Sequence, residues 1–141
     1  TAGLTTNGED IDAVMLLANG DLIISTIGGY SVSGLSGGDE DLLLYSNGAW
    51  SRYFDGSDLG MTSSTEDIYG VWIDENNGDI YFTTRGSASF PSGLTGDGSD
   101  IFVCSPSSVG NTTSCSSLTI HWNGSAEGYG SEVMDAMHIS Q

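Results

Sequence analysis

Carboxylates are the side chains through which this chain could do chemistry, and they recur at matching points. Glu9-Asp10 and Glu66-Asp67 each open an apolar run. Asp39-Glu40-Asp41 and Asp97-Gly98-Ser99-Asp100 each precede another, and Asp55-Gly56-Ser57-Asp58 follows one. A hard cation such as Ca²⁺ takes roughly six to eight oxygen ligands, and short Asp/Gly/Ser loops supply them. Asp39, Asp41, Asp97 and Asp100 are therefore the candidate calcium ligands, although none of these segments has EF-hand spacing. The competing reading is a set of solvated turns, with no cofactor required.

Other chemistries find less support. Gly34-Leu35-Ser36-Gly37-Gly38 fits G-x-S-x-G, but a nucleophile elbow needs a strand before it and a helix after it. The flanks here are a Gly/Ser stretch and an acidic segment, and the matching position further on is Thr95. No spacing ties His121 or His138 to an acid partner. Two carboxylates facing one cleft would make a glycoside hydrolase, but that pairing is a matter of distance and not of sequence. No residue is assigned a catalytic role, and the chain is read as non-enzymatic.

Covalent features are more definite. Cys104 and Cys115 bracket Ser105 to Ser114, read as a loop. A disulfide between them would contribute about 3 kcal/mol in the chain-entropy model. Such a staple favours an oxidising, extracellular or cell-surface setting. Asn111-Thr112-Thr113 and Asn123-Gly124-Ser125 are sequons, which makes Asn111 and Asn123 candidate glycosylation sites.

The elements that must position these residues come in repeats. Glu9-Asp10-Ile11-Asp12-Ala13-Val14 returns as Glu66-Asp67-Ile68-Tyr69-Gly70-Val71, and more weakly as Glu132-Val133-Met134-Asp135-Ala136-Met137. Asn19-Gly20-Asp21-Leu22-Ile23-Ile24-Ser25-Thr26 matches Asn77-Gly78-Asp79-Ile80-Tyr81-Phe82-Thr83-Thr84. Tyr53-Phe54-Asp55-Gly56-Ser57 matches His121-Trp122-Asn123-Gly124-Ser125 after an insertion that holds both cysteines. Repeats of this length are supersecondary units that cannot bury their apolar faces alone.

Each unit reads as four short strands. In the first they cover about 10–17, 21–27, 41–46 and 49–54, with Asn-Gly turns at 19–20 and 47–48 and a Gly/Ser-rich connection over 28–38. Alternation places Trp50, Arg52 and Phe54 on one face of the fourth strand and Tyr53 on the other. The strand aromatics, Trp50, Tyr53, Phe54, Trp72, Tyr81, Phe82 and Trp122, are read as core, and any left exposed would be sugar-stacking platforms. Apolar runs this short, bounded by Gly, Asn, Asp and Ser, favour strands over helices. The prediction is one all-β domain over 1–141, with repeats at about 9–65 and 66–131 and a partial third at 132–141.

Composition bounds the partners. The formal charge is −17, there is no lysine, and Arg52 and Arg85 are the basic residues. Phosphate backbones are bound through Lys and Arg, so nucleic acid is an improbable partner. The longest apolar run, Ala13 to Ala18, is too short to span a bilayer.

The motifs at 10–14, 19–26, 39–43 and 53–57 resemble the propeller-like tandem repeats of secreted or surface-attached bacterial proteins. The resemblance covers nearly the whole chain. It implies two propeller-blade-like four-stranded antiparallel units plus a surplus terminal strand, and an extracellular location. It implies no activity. An unpaired strand is an open edge that invites another chain. The expectation is a structural subunit of an extracellular filament or surface assembly, a homo-oligomer that polymerises by donating a terminal strand. Val133, Met134, Ala136, Met137 and Ile139 would form that strand, with Ala2 to Val14 as the other candidate. The alternative is a non-catalytic fragment of a larger propeller that binds glycans or a surface partner.

Overall fold

The computed structural model describes residues 2–140. Twelve strands and two short 3₁₀ turns, Asn7–Glu9 and Gly56–Leu59, make up its regular structure. The first repeat holds β1 (Ile11–Leu16), β2 (Leu22–Thr26), β3 (Tyr30–Val32), β4 (Leu35–Gly37), β5 (Leu42–Ser46) and β6 (Ala49–Phe54). The second holds β7 (Ile68–Ile73), β8 (Ile80–Thr84), β9 (Ala88–Ser89), β10 (Thr95–Gly96), β11 (Ile101–Ser108) and β12 (Ser114–Trp122). The repeats fold alike. The order β1-β2-β5-β6 in one four-stranded sheet is matched by β7-β8-β11-β12 in the other, and β3-β4 and β9-β10 form separate two-stranded sheets. Every pairing is antiparallel.

All-β architecture is as expected, but the propeller resemblance does not hold. The sheets are separate and open, and none is closed or curled as a propeller blade would be. Repeated strand patterns specify the sheets but not how one sheet packs on the next. Two further expectations change. The Gly/Ser-rich connection over 28–38 is not a plain loop, because Ser33 and Gly34 take positive φ and fold it into the β3–β4 hairpin. The surplus terminal strand is absent: residues 133–140 carry no strand, and Gln141 lies outside the described residues.

Bulges set which side chains reach the core. One falls between Ile11 and Ala13 in β1 and another between Ile68 and Gly70 in β7, so Asp12 and Tyr69 are the extra residues. A third sits opposite the Leu42/Leu43 step, where Leu42 pairs Phe54 and Leu43 pairs Arg52. Tyr53 is the residue displaced. A bulge interrupts alternation, so Trp50 and Phe54 do not share a core. Phe54 joins the main cluster with Tyr53 packed against it, whereas Trp50 packs on the smaller cluster of Ile24, Tyr30, Val32 and Leu43.

The main cluster draws on both repeats. Ala13, Ile23, Leu42 and Phe54 from the first meet Ile68, Val71, Phe82 and Phe102 from the second. Phe82 and Phe102 stack with ring centroids 5.4 Å apart. β1 and β7 lie side by side where the sheets meet. The Ile73 N–H donates to Met15 Sδ at 3.0 Å, and the Ala18 N–H donates to the Glu75 carboxylate at 3.0 Å.

The cysteine insertion is structured. Cys104 and Cys115 form the expected disulfide, with a Cα–Cα distance of 5.4 Å. It does not close a loop, because β11 runs on to Ser108 and β12 begins at Ser114. The bond staples a long hairpin whose tip reaches the first repeat. There the Asp55 N–H donates to Thr113 Oγ1 at 2.8 Å, the Thr113 N–H donates to Asp58 Oδ2 at 2.7 Å, and the Gly110 N–H donates to the Tyr53 carbonyl at 2.8 Å.

Candidate functional site

The recurrent carboxylates are hydrogen-bond hubs that tie loops to strands. Glu9 accepts the Thr5 and Thr6 N–H groups on Oε2 and the Ser31 N–H on Oε1. The Thr5 amide, with those of Ser31 and Thr6, lowers this carboxyl to about 2. Glu66 repeats the pattern with the N–H groups of Thr62, Ser63 and Ser89.

The candidate calcium ligands have comparable protein partners. Asp41 accepts the Tyr30 hydroxyl at 2.8 Å and the Gly56 N–H at 3.1 Å, and Arg52 Nε stands 3.2 Å from it. Burial raises its pKa, and Arg52 opposes the rise. Arg52 also pairs with Asp55 and donates to the Ser36 carbonyl. Asp100 accepts the Gly124 and Asp97 N–H groups. Asp97 accepts the hydroxyls of Ser99 and Ser125, which lower its pKa. The Asp39 carbonyl accepts the Ile68 N–H and the Ser25 hydroxyl. The structure thus brings Asp97 and Asp100 together in one turn and places Asp41 in a separate ion-paired cluster. Among the described residues no three His, Cys, Asp or Glu side chains are grouped as metal ligands.

The sequon residues are likewise integrated. Asn111 is exposed near the tip of the β11–β12 hairpin, but Thr113 is buried. The exposed Asn123 accepts the Ala126 N–H, and Ser125 of its sequon donates to Asp97. Ser36 lies in the β3–β4 hairpin with no helix after it. His121 packs edge-on to Tyr81, and His138 edge-on to Trp72.

Two surfaces stand apart from this network. The first is β1, which hydrogen-bonds to β2 in its sheet and to no second strand. It exposes Ile11, Val14 and Leu16 at 51%, 60% and 66%. Beside it runs the C-terminal segment, held by the Met134 N–H donating to the Gly98 carbonyl and by the Thr83 hydroxyl donating to the Met134 carbonyl. Of the expected assembly-strand residues, Val133 and Ala136 are exposed and Met134, Met137 and Ile139 are half-buried.

The second is a cleft of about 430 Å³ that includes Trp122, Tyr129, Glu132, Val133, Met134 and Asp135 in its lining. The rings of Trp122 and Tyr129 are tilted, with centroids 5.8 Å apart. Trp122 was legible as a strand aromatic. Tyr129, which belongs to no strand, was not.

Sequence reasoning also missed a carboxyl pair at the junction of the repeats. Asp67 has 0% exposure, and all four side-chain oxygens of Asp12 and Asp67 are enclosed without a hydrogen-bond donor. The one signal was the replacement of Asp12 by Tyr69 in the second repeat.

No helix among the described residues is long and apolar enough to cross a membrane. Compared with family models, curated proteins and solved structures, the chain has no significant match in any of the three.

Proposed function

We propose that the chain is a structural subunit that assembles with copies of itself into an extracellular filament or surface assembly by donating its terminal segment to a neighbour. The observation that carries this reading is β1, an end strand that pairs with no strand but β2 and whose exposed side chains include Ile11, Val14 and Leu16. An apolar open edge is a template for a further strand. The segment over 133–139 belongs to no strand ladder and is held in place through Met134, so donating it to a neighbour means giving up the two hydrogen bonds to Gly98 and Thr83 but no β-pairing. The disulfide suits an oxidising compartment. Deleting residues 132–141 should abolish assembly and leave a soluble subunit, read by electron microscopy and sedimentation. Filaments that persist after the deletion would refute the reading.

A second reading rests on the Trp122–Tyr129 cleft. Tilted aromatic faces with Glu132 and Asp135 nearby suit a saccharide, whose C–H faces stack on rings and whose hydroxyls donate to carboxylates. On this reading the chain is a non-catalytic glycan-binding module, and Trp122→Ala should remove its retention on immobilised polysaccharide while leaving the fold intact. Unaltered retention would exclude the cleft.

A further inference from the structure

The bulge in β1 makes Asp12 the extra residue of its strand, and Asp67 lies immediately before β7. Bulges re-aim side chains, and here the Asp12 and Asp67 carboxyls are enclosed at the same junction, close enough for each to act on the other's charge. No protein donor completes a hydrogen bond to any of their four oxygens. The N–H groups of Asp12 and Ala13 lie near the Asp12 carboxyl without hydrogen-bond geometry. Two enclosed carboxylates this close cannot both stay ionised, because burial removes hydration and each charge repels the other. Something positive must lie between them.

A proton fits the donor set better than a metal ion. Calcium takes roughly six to eight oxygens, and no third acidic, histidine or cysteine ligand joins this pair among the described residues. A proton needs only the two carboxyls. We propose that Asp12 and Asp67 share a proton across the junction of the two repeats, an acid–carboxylate pair that fastens β1 to β7 and loosens as the pH rises.

The charged groups around the pair come from every side. Asp39, before β5, adds a third negative charge, and the exposed Arg85, just after β8, offsets it. Asp135, from the C-terminal segment, lines a small cavity with Asp12. Burial pushes Asp12 up to about 6. Burial, with the charges of Asp12 and Asp39, pushes Asp67 up to about 8. These titrations belong to the pair as a unit. In the unfolded chain both ionise near about 3.9. The pair's contribution to stability is therefore fully present below about pH 4 and is lost as the pH rises through about 6 and then about 8. Glu40, raised to about 7 chiefly by burial, titrates in the same window and contacts Asp39, so it needs its own control.

Carbon NMR of the wild-type carboxyls tests the pairing without a variant. Asp12 and Asp67 should titrate together, with both inflections well above the ordinary aspartate range. Independent titration of both near about pH 4 would overturn the proposal. Melting temperature from about pH 5 to about pH 9 tests the consequence, with an expected wild-type fall of about 5–10 °C. Asp12→Asn or Asp67→Asn, whose amide can donate to the remaining carboxylate, should flatten that slope, and Glu40→Gln should leave most of it. An unchanged slope in both Asn variants would overturn the proposal. So would calcium chloride at neutral pH that raises the wild-type melting temperature and not that of the Asn variants, because the pair would then hold a cation.

Discussion

Glu9 and Glu66 do the same work at the same place in the two repeats, whereas the side chains of Asp10 and Asp67, one residue further on, do not. Each Glu collects three backbone N–H groups and fixes the entry to its first strand. Asp10 is exposed, but Asp67 is enclosed against Asp12. The difference teaches where repetition stops being informative. Interactions made inside one repeat can be copied, as the Glu hubs are and as the Gly56 and Gly124 N–H donations to Asp41 and Asp100 are, although the Arg52–Asp41 pair and the disulfide each belong to one repeat. Interactions made between repeats have no copy, since the junction exists once.

The largest effect expected from this comparison is at the copied hub that also holds the connection between repeats. Glu66→Ala should cost about 2–4 kcal/mol, because it leaves the N–H groups of Thr62, Ser63 and Ser89 without their acceptor. Glu9→Ala removes the same pattern from the amino-terminal segment and should cost less. Urea midpoints measure both, and equal losses would break the distinction. A smaller effect is expected at Gly70, which pairs with Thr83 where Ala13 pairs with Ser25 in the first repeat. A Cβ at Gly70 would lie 2.8 Å from Thr83 Oγ1 and 3.3 Å from the Met137 methyl. Gly70→Ala should therefore cost about 1–2 kcal/mol. Adding Thr83→Ser restores the first repeat's combination and should recover part of the loss. A double variant no more stable than the single would show that the two sites are not interchangeable.

Legibility in the sequence follows the same boundary. The four main strands of each repeat could be read because their apolar runs and turns are local. Asn47 and Gly48 both take positive φ, as a tight Asn-Gly hairpin requires. The turn at Asn19-Gly20 is longer than its sequence suggested. Gly20 takes positive φ, while the Asn19 side chain bonds Asp21 and the ladder closes between Leu17 and Asp21. The bulges at Asp12 and Tyr53 were hidden, because an extra residue leaves composition and period almost unchanged. The cysteine pairing could be read from two cysteines in one insertion. The clamp that the hairpin tip makes on Asp55 and Asp58 could not, because it joins residues far apart in sequence. The propeller resemblance failed for a related reason: repeated strands specify a sheet, but how sheets are arranged depends on contacts between repeats, here those of β1 with β7.

Assembly through the open edge of β1 is the central claim, and it is tested most directly by electron microscopy of the purified chain beside the chain lacking residues 132–141. The account predicts filaments or ordered arrays from the first and monomers from the second. Monomers from both, or the same filaments from both, would contradict it.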